Sequence, residues 1–279
     1  AKDAFDVVDP YHMTTIRYVI AVLCLIPILV FREGGSSLRY TGQSNLLLTL
    51  GVVGMCASPV LVFIGMAMSH AEHAVIIVAL QPTMTALVLW LFGKGRPHPM
   101  TLLCIVVAFI GVVMVVTKGS FVSVESKRVV IGNIIVFAGA RCWVFYSLGI
   151  GQFSTWSTWR VTVLTMIPGT IATVAITQWL VYNGKSVQPS LAQLQSVGWE
   201  IAYLTFVGVL FGMLAWNFGT RRVGAQNATL LINLMPVVAF TYRAVQGVRF
   251  ETIEIAGVGL VVGALIANNL FLRHVHVRN

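Results

Sequence analysis

AEHAVIIVALQPTMTALVLWLFG, residues 71–93, has a second version later in the chain, AQNATLLINLMPVVAFTYRAVQG, residues 225–247. The offset is 154 residues (225 minus 71), and without a gap it aligns Pro82 with Pro236 and His73 with Asn227. Each copy is an apolar run of helix length that one proline interrupts. Such a proline costs about 3 kcal/mol inside an ordinary helix, whereas neighbouring helices in a membrane bundle satisfy the freed carbonyl. The paired prolines therefore indicate either bundle packing or a transporter's binding region.

The composition is that of an integral membrane protein. Of the 279 residues, 57% are hydrophobic and 10% are charged, and the mean hydropathy is +0.87; a soluble domain has about 25% charged residues. An apolar run of about 20 residues crosses a membrane as a helix. Nine runs of this kind predict an all-α membrane fold: residues 12–31, 44–68, 72–93, 98–117, 129–150, 159–182, 198–219, 225–247 and 252–272.

The nine spans form two predicted repeats, residues 1–118 and residues 129–273, within one membrane domain. Aligning TIRYVIAVL with STWRVTVL pairs Arg17 with Arg160 and leaves the 129–150 span without a counterpart in the first repeat. We therefore expect an inverted-topology repeat of five plus five helices, with the first helix of the first repeat absent from this sequence. Five is an odd number, so the second repeat enters the membrane from the opposite side.

Basic residues indicate the orientation. With a cytoplasmic C-terminus, the inner side holds nine of them and the outer side six, in the direction of the positive-inside rule. The inner nine are Arg32, Arg39, Lys94, Arg96, Arg160, Arg221, Arg222, Arg273 and Arg278, and the outer six are Lys2, Lys118, Lys127, Arg128, Lys185 and Arg249. Small residues at helical spacing predict close helix packing, namely Gly51, Gly54 and Ser58; Gly208, Gly212, Ala215 and Gly219; and Gly259 and Gly263.

Several motifs extend over nearly the whole chain: Arg17-Tyr18, the A-x-x-A-x-x-I-x-x-x-x-P run ending at Pro82, G-V-V-M-V-V from Gly111, and Trp143-x-x-Tyr146. Together with the second copy around Pro236 they resemble the EamA-type carriers of the drug/metabolite transporter superfamily, and most of all the bacterial aromatic amino-acid exporters. The resemblance implies a multi-pass protein of the bacterial inner membrane, with ten helices, both termini cytoplasmic, and a central cavity for a small metabolite.

Arg141 lies in the middle of a span, where an arginine costs about 3 kcal/mol, and no Asp or Glu lies at that depth. We expect a buried guanidinium that either binds the carboxylate of a substrate or bonds to carbonyls of neighbouring helices. Trp143 and Tyr146 lie on the same helix and are candidates for stacking on an apolar substrate group. Trp216 is a further aromatic candidate, as cavity wall or as an anchor at the membrane interface.

Amide side chains near the two prolines are further candidates. Gln81 and Asn233 lie at mid-membrane depth, where an unsatisfied polar group is costly; they either bond across helices or line the cavity. His73 and its repeat partner Asn227 complete the predicted substrate-binding set. A proton or metal site at His73 is the alternative to a solvated helix end there.

A secondary transporter of a small metabolite, with amino acids as the expected substrates, fits these observations best. It would export or exchange the substrate by alternating access between the two repeats. Another metabolite class, such as a nucleotide-sugar or a drug-like cation, is the alternative, followed by an intramembrane enzyme. The spans carry no paired carboxylates or nucleophile with a base, no channel filter and no G-x-x-x-x-G-K-[ST] loop of an ATP-driven pump.

We therefore predict no catalytic residues, no metal and no cofactor. The four cysteines fall one to a helix and predict packing rather than a disulfide. The expected partners are a small-molecule substrate and the lipid bilayer, without nucleic acid. A monomer is sufficient for this mechanism, and a homodimer is compatible with it.

Overall fold

The computed structural model describes residues 7–42, 44–69, 71–92, 97–117, 126–245 and 250–278. Side chains at positions 71, 72, 116, 236, 239, 240, 242–244, 269 and 272–278 are outside that description. Within these ranges the secondary structure is helical, without strands. The ends of the two sequence copies, Gly93 and Gly247, lie outside the described residues.

The helices of the described ranges coincide with all nine predicted spans, which confirms the all-α membrane fold. They are α1, Pro10–Glu33; α2, Ser44–Met68; α3, in two pieces, Ala71–Ala79 and Gln81–Leu91; α4, Pro99–Thr117; α5, Lys127–Ile150; α6, Thr158–Tyr182; the short α7, Leu191–Ser196; α8, Gly198–Val223; α9, in two pieces, Ala225–Leu231 and Leu234–Val245; and α10, Thr252–Arg278. A 3-10 turn, Gly35–Leu38, follows α1.

Six of these helices are long and apolar enough to cross a membrane: α1, α2, the His73–Leu91 part of α3, α5, α6 and α8. The apolar stretches of α4 and α10, Pro99–Val115 and Thr252–Asn268, are shorter among the residues described. Side-chain caps begin two of the long helices. Asp9 accepts from the backbone N–H groups of Tyr11 and His12 at the start of α1, and Ser157 accepts from that of Arg160 in α6.

Two helices contain wider, π-helical segments, Gly51–Ala57 in α2 and Leu204–Phe211 in α8. Adding the repeat offset of 154 to positions 50–57 gives positions 204–211, so the two segments correspond within one residue. Val53 and Gly54 thereby align with Val207 and Gly208. The duplication is therefore visible in the backbone outside the proline motif. The inverted relation of the two repeats stays a prediction.

The chain divides into two compact units, and each takes sequence from both predicted repeats. Unit 1 comprises residues 1–63 and 145–222, and unit 2 comprises residues 64–144 and 223–279. In unit 1, α1 packs on α6 and on the π-helical part of α8, and α2 packs on α6. Its core contains the fully buried Leu25, Leu29, Leu50 and Leu164.

The α4–α10 pair forms the centre of unit 2. Gly111 and Gly257 face each other there: a Cβ on Gly111 would lie 2.6 Å from the Gly257 carbonyl oxygen, and one on Gly257 2.7 Å from that of Gly111. Only glycine permits this approach. The core next to it contains Ala86, Cys104, Ile105, Ala108, Leu230 and Ala264.

The predicted glycine packing is correct for α2 and wrong for four other positions. Gly51 packs against α6 and Gly54 packs against the ring of Tyr146. By contrast, a Cβ at Gly208, Gly219, Gly259 or Gly263 would meet no described atom within 4 Å. The physical reason is that these glycines lie on helix faces that no described neighbour covers, a property that spacing alone does not determine.

Candidate functional site

The first proline motif breaks α3 in the middle of the helix. The break is at Leu80, two residues before Pro82, whose ring nitrogen carries no hydrogen to bond the carbonyl four residues earlier. The Leu80 N–H instead bonds the Ile77 carbonyl at 3.1 Å, and the helix resumes with the Met84 N–H on the Leu80 carbonyl at 3.0 Å.

The second motif breaks α9 at Ile232 and Asn233. The backbone tightens here into bonds to the third preceding residue, from Ile232 N–H to Thr229 at 3.1 Å and from Asn233 N–H to Leu230 at 3.2 Å. If residue 236 were not proline, its N–H would bond the Ile232 carbonyl. That carbonyl instead accepts from the Met235 N–H at 2.9 Å. Both copies thus produce a break within a few residues before the proline.

Polar side chains join the two broken helices inside unit 2. Gln226 Nε2 of α9 donates to the carbonyl oxygen of Pro82 at 3.0 Å. One turn later, the buried hydroxyls of Thr229 and Thr85 lie 3.2 Å apart. The first turns of the second piece of α3 are therefore in direct contact with the first piece of α9.

Four amide side chains on α3, α9 and α10 carry buried polar atoms without partners, and we call this set the amide cluster: Gln81, Gln226, Asn233 and Asn268. Gln81, Asn233 and Asn268 are 4%, 0% and 3% exposed, and Gln226 is half-buried. Five of their buried polar atoms have no hydrogen-bond partner within the described part of the chain: Gln81 Oε1, Gln226 Oε1, Asn268 Oδ1, and both Oδ1 and Nδ2 of Asn233.

Buried amides without hydrogen-bond partners lower the free energy of unfolding, so this cluster is a candidate for ligand binding. A buried polar atom without a partner costs about 1–3 kcal/mol, and buried polar groups in native proteins bond to protein, water or ligand. Of the five free atoms, four are carbonyl oxygens and one is an NH2 group. The amide cluster is therefore suited to a molecule that donates hydrogen bonds, such as an ammonium or hydroxyl group.

Asn227 lies beside the cluster. Its Nδ2 donates to the carbonyl of Val223 at 2.8 Å, and its Oδ1 accepts from Asn268 Nδ2 at 3.5 Å. Asn227 thus links the start of α9 to α10. Sequence reasoning named Gln81, Asn227 and Asn233 but missed Gln226 and Asn268. The signal for Asn268 was its place in an Asn-Asn pair within an otherwise apolar span.

Tyr146 belongs to a different polar network, in unit 1. It is 0% exposed; its hydroxyl donates to Asn217 Oδ1 at 2.9 Å and lies 3.3 Å from Thr165 Oγ1. Asn217 Nδ2 donates in turn to Thr162 Oγ1 at 2.8 Å. This Tyr146 network ties α5, α6 and α8 together, and both polar atoms of the Asn217 side chain have partners in it.

Trp216 extends the contact between α5 and α8, because its indole N–H donates to Ser147 Oγ at 3.3 Å. The tryptophan itself is half-buried. Of the predicted aromatic set, Trp216 and Tyr146 therefore lie in unit 1. Trp143 is half-buried and lies in the unit 2 part of α5.

The expectation that Arg141 is buried is wrong. Its side chain is exposed, on the face of α5 that also exposes Ile134, Phe137 and Phe145. The opposite face is the buried one and contains Val136, Ala140 and Val144. Within the described residues Arg141 has no carboxylate partner, because the one ion pair there joins His12 and Asp9. A ligand role for this exposed guanidinium stays a prediction.

His73 lies at the start of α3 in a small polar group. Its Nδ1 is 3.2 Å from Asn133 Nδ2 and 3.4 Å from Ser69 Oγ, and Ser69 donates to Asn133 Oδ1. These contacts tie α3 to α5 inside unit 2. The described part of the chain contains no group of three His, Cys, Asp or Glu residues that would hold a metal ion.

Comparison with known proteins identifies the family of the chain. The model of the EamA-like transporter family matches residues 1–117 and 130–270, two segments with bounds close to those of the predicted repeats. The chain belongs to this family. As family and relatives are transporters by name, the protein is a multi-pass membrane transporter of small molecules and not an enzyme.

Two relatives are similar in sequence, and one solved structure is similar in fold. The chain is 30% identical over 277 residues to the uncharacterized transporter YrdR of Bacillus subtilis, covering 98% of this chain and 86% of that protein. It is 27% identical over 273 residues to the uncharacterized transporter YyaM of the same organism, covering 97% and 88%. A solved structure titled "Crystal structure of protein" is similar in fold, with a TM-score of 0.81 at 18% identity, covering 98% of this chain and 92% of that one.

Proposed function

We propose that this EamA-like transporter exports or exchanges amino acids, and that the amide cluster at the helix breaks binds the substrate's ammonium group. The proposal rests on one observation: five buried amide atoms of Gln81, Gln226, Asn233 and Asn268 have no partner in the described chain. Four of them are acceptors, and an ammonium group donates three hydrogen bonds.

The cluster's position supports a transport role. Interrupted helices bring backbone and polar side chains to mid-membrane depth, where transporters bind their cargo. The breaks in α3 and α9 come with polar side chains on both sides of the contact, including Thr85 and Thr229. Alternating access between the two repeats is the mechanism we propose for moving the bound substrate.

Arg141 is the proposed ligand of the substrate carboxylate. Its guanidinium makes no ion pair among the described residues, and its fork matches a carboxylate. Trp143 also lies on α5, on a different face of the helix from Arg141, and is a separate proposed contact for an apolar side chain. The amide acceptors would bind the ammonium group and the arginine would bind the carboxylate. A site with both features would select zwitterions over nucleotide-sugars and cations.

The test is transport of radiolabelled substrates into proteoliposomes that contain the full chain. We expect counterflow of amino acids, aromatic ones included, and none of nucleotide-sugars. Gln81→Leu should reduce this counterflow about tenfold, because a hydrogen bond to a charged group is worth about 1.5–3 kcal/mol. Gln195→Leu makes the same chemical change at an exposed position and should leave counterflow unchanged. Equal rates in the two variants would contradict the proposed site.

Arg141 permits a separate prediction. Arg141→Lys keeps the positive charge but loses the fork, so we expect the KM for amino acids to rise severalfold with the protein yield preserved. Arg141→Gln should raise it further, whereas the low transport rate of an amine without a carboxylate should be the same in both variants as in the wild type. If both variants transport amino acids with the native KM, Arg141 is not a carboxylate ligand.

A further inference from the structure

A cavity of about 400 Å³ lies in unit 1, between the loop that joins α5 to α6 and the last turns of α8. Its lining residues are Gly151, Ser154, Thr158, Phe218, Arg221 and Arg222. None of them belongs to the amide cluster or to the Tyr146 network. The proposed transport mechanism therefore does not use this cavity.

Arg221 shapes the wall of the cavity. Its Nη2 donates to the carbonyl oxygens of Phe153 at 2.9 Å and Ser154 at 3.1 Å, and also to that of Trp156. Its Nη1 lies 3.4 Å from Thr158 Oγ1, and its Nε is buried without a partner in the described chain. All these partners are uncharged. Arg221 thus holds the α5–α6 loop in place while its charge stays unneutralised by a carboxylate.

Arg222 supplies the second guanidinium. Its side chain is exposed and lies over the ring of Phe218, 5.5 Å from the ring centroid. No hydrogen bond from it to another described residue occupies its N–H groups. Thr158 adds a hydroxyl and is the first residue of α6, so the positive end of that helix dipole lies at the cavity.

Other arginines at this end of unit 1 increase the positive charge. Arg160 Nη2 donates to the Arg39 carbonyl at 2.9 Å, and the Arg32 guanidinium lies 4.9 Å from the Trp159 ring centroid. The carboxylate at this end is Glu33, which accepts a hydrogen bond from Ser157 and makes no ion pair with an arginine in the described ranges. Among the residues described, this end of unit 1 therefore carries several guanidinium groups and one carboxylate.

We infer that this cavity binds a phosphate group, held by Arg222, the Thr158 and Ser154 hydroxyls and the positive field of Arg221. Arginine forks and hydroxyls are the usual ligands of phosphate oxygens. The apolar Phe218 ring beside the guanidinium suits the glycerol and upper acyl region of a phospholipid. Basic side chains at membrane ends attract anionic lipids. The shared chemistry is a phosphate ester, which an anionic phospholipid or a soluble metabolite supplies.

Lipid retention and thermal stability test the site and separate the two sources. The purified full chain is given phosphatidylglycerol, and bound lipid is counted by native mass spectrometry. In parallel, the shift in Tm with glycerol 1-phosphate is measured in detergent without lipid. Arg222→Gln and Thr158→Val are the site variants. Arg32→Gln is the matched control, because Arg32 also lies over an aromatic ring at this end but does not line the cavity.

An exposed ion pair in direct contact contributes up to about fivefold in affinity, whereas a charge that does not line the cavity is largely screened by salt. We expect Arg222→Gln to retain about fivefold less phosphatidylglycerol than the wild type, Thr158→Val to fall in between, and Arg32→Gln to match the wild type. A Tm increase with glycerol 1-phosphate that disappears in Arg222→Gln, without a difference in lipid retention, would assign the cavity to a soluble phosphate ester. If both site variants behave like Arg32→Gln in both assays, the phosphate site does not exist.

Discussion

The Tyr146 network and the amide cluster contain the same kinds of buried polar group and differ in whether those groups have partners. In the network, Asn217 is 0% exposed and both polar atoms of its side chain are bonded, to Tyr146 and to Thr162. In the cluster, Asn233 is also 0% exposed, and neither polar atom of its side chain has a partner in the described residues.

We propose that this difference separates structural polar groups from the proposed binding groups. A satisfied buried network rigidifies the helices that it joins, as Tyr146, Asn217 and Thr162 do for α5, α8 and α6. An unsatisfied amide instead reduces the free energy of unfolding until a ligand or water arrives. Replacing the two asparagines with leucine should therefore have opposite consequences for stability and transport.

The largest effect should come from Asn233→Leu. The change removes two unpartnered polar atoms, so stability in detergent should stay the same or rise, while amino-acid transport should fall at least about tenfold because the substrate loses a ligand. Proteoliposome uptake and the Tm of the same preparation measure both quantities. A loss of Tm comparable with that of Asn217→Leu would show that Asn233 is structural.

Asn217→Leu should show the reverse pattern. It leaves the Tyr146 hydroxyl and the Thr162 hydroxyl without their shared partner, at a cost of about 2 kcal/mol in stability. The Tm should therefore fall, and the KM of the folded fraction should stay unchanged. Adding Tyr146→Phe to Asn217→Leu should lower the free energy of unfolding by less than Tyr146→Phe does in the wild-type protein. The reason is that the stability effects of mutations at contacting residues are not additive. Strict additivity would mean that the hydrogen bond between them contributes nothing.

The smallest expected effect on stability comes from Asp9, a hydrogen-bonded carboxylate outside the membrane spans. Burial raises the pKa of its carboxyl, but hydrogen bonds from Ser186 and from the His12 backbone and side chain lower it by more, so the net pKa lies below 3.8. The ionised form therefore stabilises the folded state above the unfolded pKa, and this contribution disappears as the pH falls through the folded pKa.

Stability of the wild type should accordingly decrease below about pH 4, with a loss of about 1 kcal/mol or less. Asp9→Asn should show less of this dependence. Thermal unfolding between pH 3 and pH 7 provides the measurement, with Glu251→Gln as the control at an exposed carboxylate. A wild type and an Asp9→Asn variant with parallel pH profiles would contradict the assignment.

The helices and half of the candidate site were predictable from the sequence for a clear reason. Apolar runs of about 20 residues and proline interruptions are local features, so they identify the spans, the breaks near Pro82 and Pro236, and the amides Gln81 and Asn233 beside them. Gln226 and Asn268 were missed because their relevance depends on the contact of α9 with α3 and α10, which only the folded chain brings about.

The orientation of Arg141 was not predictable from pattern. Helix α5 is apolar on all sides: Ile134 and Phe137 are exposed, whereas Val136 and Ala140 are buried. A helix without an amphipathic period does not indicate its buried face. The mid-span position of Arg141 therefore suggested a buried side chain, but the packing of the neighbouring helices leaves it exposed.

The composition of the two units has a consequence for biosynthesis. Unit 1 needs residues 1–63 and 145–222, and unit 2 needs residues 64–144 and 223–279, so neither forms from one repeat alone. Helix α4 meets its main partner, α10, only when the ribosome has added Gly257 to a chain that already contains Gly111. Until then the glycine face of α4 is open to lipid or to the insertion machinery. We therefore expect the first predicted repeat to lack its complete set of partners until α10 has been translated.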